Sequence, residues 1–316
     1  LSAADFFSGS GATGIVNPLY YFDDVVYKSA DVKKAAVHAS NGEFARGTAA
    51  PSILRAPAGN HVAGVPQIQL KSRSLAYACD IYPGMTFFNF STDDPGTTNI
   101  ISTIDASYFG GTFDAVNTDF MYVIDYDNNQ LKKLDIASGA ATLIGSCMPY
   151  GSESWTGITV DKTTNIMYGI STDISESHIY TINMETGAAT VIGATGIPGG
   201  IDVTIDGTGQ MYSFDLVNDE AYKIDKATGA STLLGSLGYD ANYAQGMGWD
   251  PATDIIYLAA YNNDGSGGEL RILDRETGAT TLVGGFPGGD EIDALGFPGG
   301  GGGNWASIEP ASGTVP

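Results

Sequence analysis

The chain has 316 residues and a net charge of −22, with 36 Asp and Glu against 14 Lys and Arg, and it contains 43 glycines. Residues 1–75 carry seven Lys/Arg and five Asp/Glu, whereas residues 76–316 carry seven and 31. This acidic body lacks the Lys/Arg clusters that neutralise phosphates, which argues against nucleic-acid binding. No apolar run is long enough to cross a membrane as a helix.

Residues 1–66 lack the repeat that organises the rest of the chain. Residues 8–14 have the composition of a flexible linker, 15–27 contain apolar runs typical of a strand or two, and 29–37 predict a short helix capped by Ser29. Residues 47–66 are rich in Pro, Ala and Gly. We therefore expect a mostly irregular N-terminal arm, which docks either on its own subunit or on a neighbouring one.

One eleven-residue pattern occurs five times, at residues 92–102, 135–145, 183–193, 225–235 and 274–284. Each copy has a polar turn closed by glycine and then a short Thr/Val/Leu/Ile strand. An aligned tyrosine precedes each turn in an apolar run: Tyr77, Tyr122, Tyr168, Tyr212 and Tyr257. Further strands lie before the tyrosine and between it and the turn. Four strands in a repeat of 42 to 49 residues predict an all-β, five-bladed β-propeller.

The ends of the repeat region predict how the ring closes. The strand around Tyr77 has no good inner strand before it, and residues 291–297 form an inner strand with no tyrosine strand after it. We expect the C-terminal strand to complete the first blade, which removes open sheet edges. The propeller then spans residues 67–298. A sixth blade built from residues 60–75 is the alternative.

Residues 299–316 predict a Gly-rich linker followed by the start of another domain. The sequence Trp-x-x-Ile-x-Pro-x-Ser-Gly-Thr-Val at residues 305–315 resembles the opening strand of bacterial immunoglobulin-like surface domains. With the blades, the chain resembles secreted bacterial cell-surface repeat proteins. That resemblance implies an extracellular location and a following Ig-like domain.

Three aspartates align near the starts of inner strands: Asp114, Asp202 and Asp293. Because inner strands line the channel, we expect these carboxylates to converge at one mouth, where Ca²⁺ would relieve their repulsion. The alternative is that each accepts hydrogen bonds from backbone amides where blades cross. The D-x-D-x-N run at residues 125–129 resembles half a calcium loop, but a polar hairpin turn is the better interpretation.

Aromatic residues precede the inner strands on the same face, including Tyr150, Trp155, Tyr243 and Phe286. Beside Asp202 they form a hypothetical glycan or small-ligand site. Five-bladed lectins of the tachylectin type provide an analogy, which depends on blade number alone. This hypothesis predicts that Asp202→Ala and Trp155→Ala abolish ligand capture while leaving the fold intact. The alternative is that these aromatics wedge between blades.

Catalysis has less support in the sequence. A glycoside hydrolase at the channel mouth would use carboxylates such as Asp114, Asp202, Asp293 or Glu291, but the regular blades offer few distinctive loops. His38, His61 and His178 form no set with a nucleophile. Cys79 and Cys147 are expected to be buried thiols, with a disulfide between them as the alternative. We therefore predict a non-enzymatic, extracellular module that binds other copies of itself or other surface proteins, with ligand binding as the alternative and hydrolysis a lesser one.

Overall fold

The computed structural model describes residues 74–299. These residues form twenty strands and one short 3₁₀ turn, arranged as five sheets of four antiparallel strands around a ring. The predicted all-β, five-bladed propeller is confirmed. The predictions for the arm at residues 1–66, including a sixth blade from residues 60–75, and for the linker and Ig-like start after residue 299 lie almost wholly outside the described residues.

Each blade runs from an inner strand at the channel to an outer strand at the rim. Blade 1 contains β20 (Glu291–Gly296), β1 (Leu75–Tyr82), β2 (Thr86–Ser91) and β3 (Asp94–Thr103); blade 2 contains β4 (Tyr108–Phe113), β5 (Phe120–Asp125), β6 (Gln130–Asp135) and β7 (Ala141–Ser146); blade 3 contains β8 (Ser154–Asp161), β9 (Ile166–Thr172), β10 (Ser177–Ile182) and β11 (Ala189–Ala194); blade 4 contains β12 (Gly200–Ile205), β13 (Met211–Asp215), β14 (Glu220–Ile224) and β15 (Ser231–Ser236); blade 5 contains β16 (Gly246–Asp250), β17 (Ile255–Asn262), β18 (Gly267–Leu273) and β19 (Thr280–Gly285).

Ring closure follows the sequence prediction. β20 pairs antiparallel with β1, with Tyr77 opposite Gly296 and Ala78 opposite Leu295. All six residues of β20 are buried. The last strand of the ring therefore becomes the inner strand of its first blade and leaves no open inner edge.

The aligned tyrosines mark the second strand of every blade, as predicted. Their partners on the inner strands are Thr112, Thr159, Thr204, Gly248 and Gly296. These five pairs define equivalent positions around the channel, so they give the structural alignment of the repeats.

Hydrogen bonds to the first residue of the repeated turn hold its shape. In blade 2, Asp135 Oδ1 accepts the Ser138 amide at 2.8 Å, and the Asp135 carbonyl accepts the Gly139 amide at 2.7 Å. Gly139 has φ 71°, the left-handed conformation that glycine adopts without a steric penalty. Asn183, Asp225 and Asp274 begin the matching turns of blades 3 to 5. Blade 1 differs, because its outer hairpin turns at residues 92–93 and Gly96 lies inside β3, so the turn predicted at Gly96 is wrong.

The same motif also joins neighbouring blades at the rim. A Cβ on Gly145, near the end of β7, would overlap the carbonyl oxygen of Thr186 in the blade 3 turn, and a Cβ on Gly187 would lie 2.9 Å from the Gly145 carbonyl. Gly193 and Gly229, and likewise Gly235 and Gly278, meet in the same way. At these three interfaces the second glycine of one repeat fits against the first glycine of the next.

Apolar side chains fill the space between blades. One cluster joins Ile124 and Leu131 of blade 2 to Trp155 and Ile158 of blade 3, and Cys147 lies within it. Cys79 is also buried, and neither cysteine is disulfide-bonded. Burial raises the pKa of Cys147 to about 12, so this thiol has no nucleophilic character at neutral pH.

Candidate functional site

The propeller offers three surfaces, which we name by the course of the inner strands. The upper face is the side on which the inner strands begin, the lower face is the side on which they end, and the rim is formed by the outer strands. The connections between blades and the hairpins between second and third strands lie on the upper face.

Asp202 lies at the upper end of the channel and is completely buried. Its Oδ1 accepts the Val203 amide at 2.7 Å, and its Oδ2 accepts the Met247 amide at 2.6 Å. Met247 belongs to β16, so one carboxyl joins the inner strands of blades 4 and 5. This is the structural role that the sequence left open as the alternative to ligand binding.

Asp293 is the second buried aspartate at this mouth. Both of its carboxyl oxygens are buried and have no hydrogen-bond partner in residues 74–299. Burial raises its pKa well above the ordinary value, and the neighbouring Asp202 and Glu291 raise it further. An unpaired buried carboxyl is costly when ionised, so this environment favours the protonated form of Asp293.

Glu291 and Asp80 extend this group of carboxyls. Glu291 accepts the Ala244 amide at 3.0 Å, and burial, with a contribution from Asp80, raises its pKa to about 8. Burial and the nearby Asp290 raise the pKa of Asp80 to about 7. The upper mouth is therefore lined by carboxyls whose pKa values are raised by burial.

Asp114 does not join this group, which corrects the sequence alignment. It follows β4, and its Oδ1 accepts the amides of Val116 and Asn117 in a turn after the inner strand. Its structural equivalent is Asp206, whereas the equivalent of Asp202 is Gly110. The three predicted calcium ligands are therefore not brought together, and no three His, Cys, Asp or Glu side chains between residues 74 and 299 are arranged to hold a metal ion.

The D-x-D-x-N run forms the hairpin between β5 and β6. Asp125 is completely buried, its Oδ1 accepts the Asn128 amide at 3.1 Å, and its Oδ2 lies 2.7 Å from Lys132 Nζ. An aspartate that is committed to its own turn and to a lysine serves as a hairpin cap, which agrees with the polar-turn interpretation.

The predicted aromatics separate into buried and accessible ones. Trp155 is completely buried and donates from Nε1 to the Cys147 carbonyl at 2.7 Å. Phe286 is buried against Phe90, with ring centroids 5.3 Å apart. Both therefore pack between neighbouring blades, which is the alternative interpretation. Tyr243 is partly buried and packs edge-on against Tyr261.

Tyr150 alone among the predicted ligand residues is largely exposed, with 56% of its surface accessible. Its ring lies 4.7 Å from that of His178. His178 Nδ1 lies 2.5 Å from Glu153 Oε1, and Glu153 also accepts hydrogen bonds from Ser171 and Tyr180. Burial raises the pKa of Glu153, against the opposing effect of Ser171 and His178.

Apart from the presence of His178, no sequence pattern predicts this cluster. Glu153 precedes β8, and His178 stands 25 residues later at the start of β10. Ser171 forms hydrogen bonds with Glu153 and Tyr180, and within the described residues it forms none with His178. The cluster therefore lacks the nucleophile-to-base contact of a hydrolase, but it fixes an aromatic and imidazole surface at the upper face.

The rim carries a regular set of exposed apolar side chains. The fourth residue after the repeat glycine is apolar in all five blades, and between 41% and 62% of each side chain is accessible: Ile100, Leu143, Val191, Leu233 and Leu282. We call these the rim residues. Each lies beside a β-bulge in the outer strand, as between Leu143 and Gly145 opposite Lys132 and Leu131.

Comparison with known proteins finds similar solved structures at low sequence identity. No family model and no curated protein matches the chain. The nidogen/laminin complex contains a chain that is 12% identical, with a TM-score of 0.48 over 72% of this chain and 98% of that one. TolB from Acinetobacter baumannii is 11% identical, with a TM-score of 0.45 over 72% and 67%. The PQQ-bound aldose sugar dehydrogenase of Streptomyces coelicolor is 16% identical, with a TM-score of 0.40 over 54% and 61%.

Proposed function

We propose that the protein is a non-catalytic, extracellular interaction module that assembles with other copies of itself through the rim of its ring. The observation that carries this proposal is the recurrence of an exposed apolar side chain at one position in five outer strands. A single exposed leucine is ordinary on a protein surface, but an exposed apolar side chain repeated on every blade makes the rim a hydrophobic interaction surface.

The occupant that we propose for the rim is the N-terminal segment of a second copy. Residues 1–73 carry seven Lys/Arg and five Asp/Glu, whereas residues 74–299 carry seven and 30. Two acidic rings repel each other, so a segment with a net charge of +2 and the apolar runs 19–22 and 25–27 is the complementary partner in the chain. The bulges blunt backbone pairing at the outer edges, so the contact that we propose is made by side chains.

Light scattering and negative-stain imaging of the full chain test this proposal. The first variant changes all five rim residues to threonine, which keeps the preference for strands. A second variant lacks residues 1–66. A matched control changes Val116 to threonine, because Val116 is 87% exposed but lies after β4, away from the rim.

We expect concentration-dependent assembly of the full chain and of the control, and monomers from the other two variants. A full chain that stays monomeric at all concentrations contradicts the assembly function. Assembly that persists in the threonine variant but is lost without residues 1–66 shows that the segment binds a surface other than the rim.

The extracellular location is supported by the sequence pattern at residues 305–315. Residues 74–299 contain no helix long and apolar enough to cross a membrane. Protease treatment of intact cells checks the location, because only protein outside the cell is cleaved.

Ligand binding at the upper face is the second candidate function, and the exposed Tyr150 ring on His178 favours it. An aromatic face beside a carboxyl and an imidazole suits a sugar. Asp202→Ala and Trp155→Ala are unsuitable tests, because both residues are buried in the framework. Tyr150→Ala should abolish capture in a glycan screen, whereas Tyr82→Ala, which removes another exposed tyrosine, should leave it unchanged.

A further inference from the structure

The lower mouth of the channel contains a cavity of different character from the acidic upper mouth. About 260 Å³ of non-atom space lies here when the open solvent at the mouth is included, and only a small part of it is sheltered. Among its described lining residues are Lys162 and three threonines, and there is no Asp or Glu. Since residues 74–299 include 30 acidic residues, a lining without any of them is a distinct chemical environment.

Three hydroxyl groups stand at equivalent positions around this cavity. Thr112, Thr159 and Thr204 belong to consecutive inner strands and lie opposite the aligned tyrosines. Thr112 Oγ1 accepts the Val160 amide at 2.9 Å, and Thr204 Oγ1 accepts the Trp249 amide at 2.9 Å.

In both threonines Oγ1 accepts a hydrogen bond from a backbone amide. The hydroxyl proton is therefore free to be donated to another group. Within residues 74–299 neither proton has a protein acceptor. The hydroxyls therefore act as donors that the protein itself does not use.

The remaining two positions of this layer are occupied by Gly248 and Gly296. A Cβ on Gly248 would lie 2.9 Å from the Phe297 ring, and one on Gly296 would lie 3.0 Å from the Phe113 ring. Glycine at these two places lets the aromatic rings approach and keeps side chains out of the centre.

Lys162 supplies the positive charge. Its Nζ donates to the Phe113 carbonyl and lies 3.4 Å from the Asp114 carbonyl oxygen. Burial lowers its pKa to about 8, against an opposing effect of Asp114. The ammonium has three N–H groups, so at least one remains for a ligand after both carbonyls are served.

The acidic residues at or just after the lower ends of β8, β12 and β16 are occupied elsewhere. Asp161 pairs with Lys226 at 2.5 Å, and Asp206 pairs with Arg275 at 3.0 Å. Asp250 accepts the Ala252 amide at 2.9 Å within its own turn. The positive charge of Lys162 is thus not cancelled by a carboxylate in contact with it.

We propose that the lower mouth is a binding site for one small monovalent anion, a halide ion or the carboxylate of a short acid, held by the Lys162 ammonium and the hydroxyls of Thr112, Thr159 and Thr204. Charge-assisted donors that surround a sheltered space are the arrangement that anions require. The site is independent of the rim and of the upper face.

Bromide is the probe for a halide, because its anomalous scattering locates it in crystals of the full chain. We expect one bromide peak in the cavity of the wild-type protein. In solution, bromide and formate should each raise the unfolding temperature relative to an equal ionic strength of a bulky anion that is excluded from the cavity. The two salts distinguish the halide from the carboxylate as ligand.

Three variants separate this site from general salt effects. Lys162→Met should weaken bromide binding at least about tenfold, because it removes the charge-assisted donor. Thr159→Val should weaken it roughly threefold or more, and it breaks no hydrogen bond within the described residues. Lys133→Met is the matched control, since its amine lies over the Phe120 ring away from the cavity, and it should bind bromide normally.

Water alone in the cavity at saturating bromide and formate overturns the proposal. Equal binding by the wild-type protein and Thr159→Val overturns the role of the hydroxyls, and this variant remains informative if Lys162→Met does not fold.

Discussion

At the scale of single residues, the structure is notable for carboxyl groups that are buried without cations. Glu291, Asp293 and Asp202 surround the upper mouth, and burial raises the pKa of each. Other carboxyls, such as Asp135 and Asp254, have lowered pKa values because they accept hydrogen bonds in turns or from Arg275. The two classes make stability depend on pH in opposite directions.

The raised pKa of Glu291 predicts a protein that is less stable at alkaline pH. Because its pKa is about 8 when folded and 4.5 when unfolded, its stabilising proton is fully present below about pH 4.5 and is lost as pH rises through 8. The carboxyls with lowered pKa values affect the free energy of unfolding only at lower pH. Urea unfolding should therefore show a decreasing free energy of unfolding between about pH 5 and pH 9.

Glu291→Gln should flatten that dependence and add on the order of 2 kcal/mol to the free energy of unfolding near pH 9. The amide oxygen of glutamine can still accept the Ala244 amide. Glu276→Gln is the control, because Glu276 is 83% exposed and should leave the pH profile unchanged. An unaltered profile in Glu291→Gln would show that Glu291 does not cause it.

At the scale of the elements, one motif performs two tasks. Its aspartate or asparagine and first glycine shape the hairpin between the third and outer strands, and its second glycine receives the turn of the next blade. The repeat therefore encodes both a blade and the fit between blades. In blade 1, where the turn is displaced, Pro95 packs beside Gly284 of blade 5 and completes the circle.

Gly145→Ala should destabilise the protein by about 2 to 4 kcal/mol, because the added methyl group overlaps the Thr186 carbonyl and forces blades 2 and 3 apart. Gly151→Ala provides the contrast. Gly151 has φ 57° with no atom near its Cβ position, so its substitution should cost only about 1 kcal/mol of backbone strain. Chemical unfolding at one pH measures both, and equal costs would contradict the role of close packing between blades.

At the scale of the whole molecule, the ring depends on a contact between the two ends of the repeat region. β20 and β1 are separated by the entire propeller in sequence, yet they pair within blade 1. The side chains of Ile292 and Leu295 are buried there. Losing β20 would expose a strand edge and the core of that blade together.

Truncation after Asp290 should therefore abolish the cooperative unfolding transition and produce a species that binds a hydrophobic dye. Truncation after Gly299 leaves all twenty strands and is the control, which should unfold like the full-length propeller. Circular dichroism and dye fluorescence measure the two outcomes. A cooperative transition at an unchanged midpoint in the shorter variant would mean that closure by β20 is dispensable.

The sequence by itself determined the number of blades, the place of the tyrosine strands and the closing strand. These features depend on local signals, namely apolar alternation, turn residues at fixed offsets and a repeat period, and all are set by neighbours in the chain. The turn at Gly96 was the exception, because the first repeat had diverged from the pattern.

Only the tertiary structure decided which residues meet. Blade 4 contains two aspartates four residues apart, Asp202 and Asp206, and register shifts in the inner strands determine which of them corresponds to Asp114. The contact of Glu153 with His178 and the ring of threonines beside Lys162 join residues from different strands or blades. Such proximity results from the curvature of the ring and from bulges in its strands, and neither is encoded by spacing along the chain.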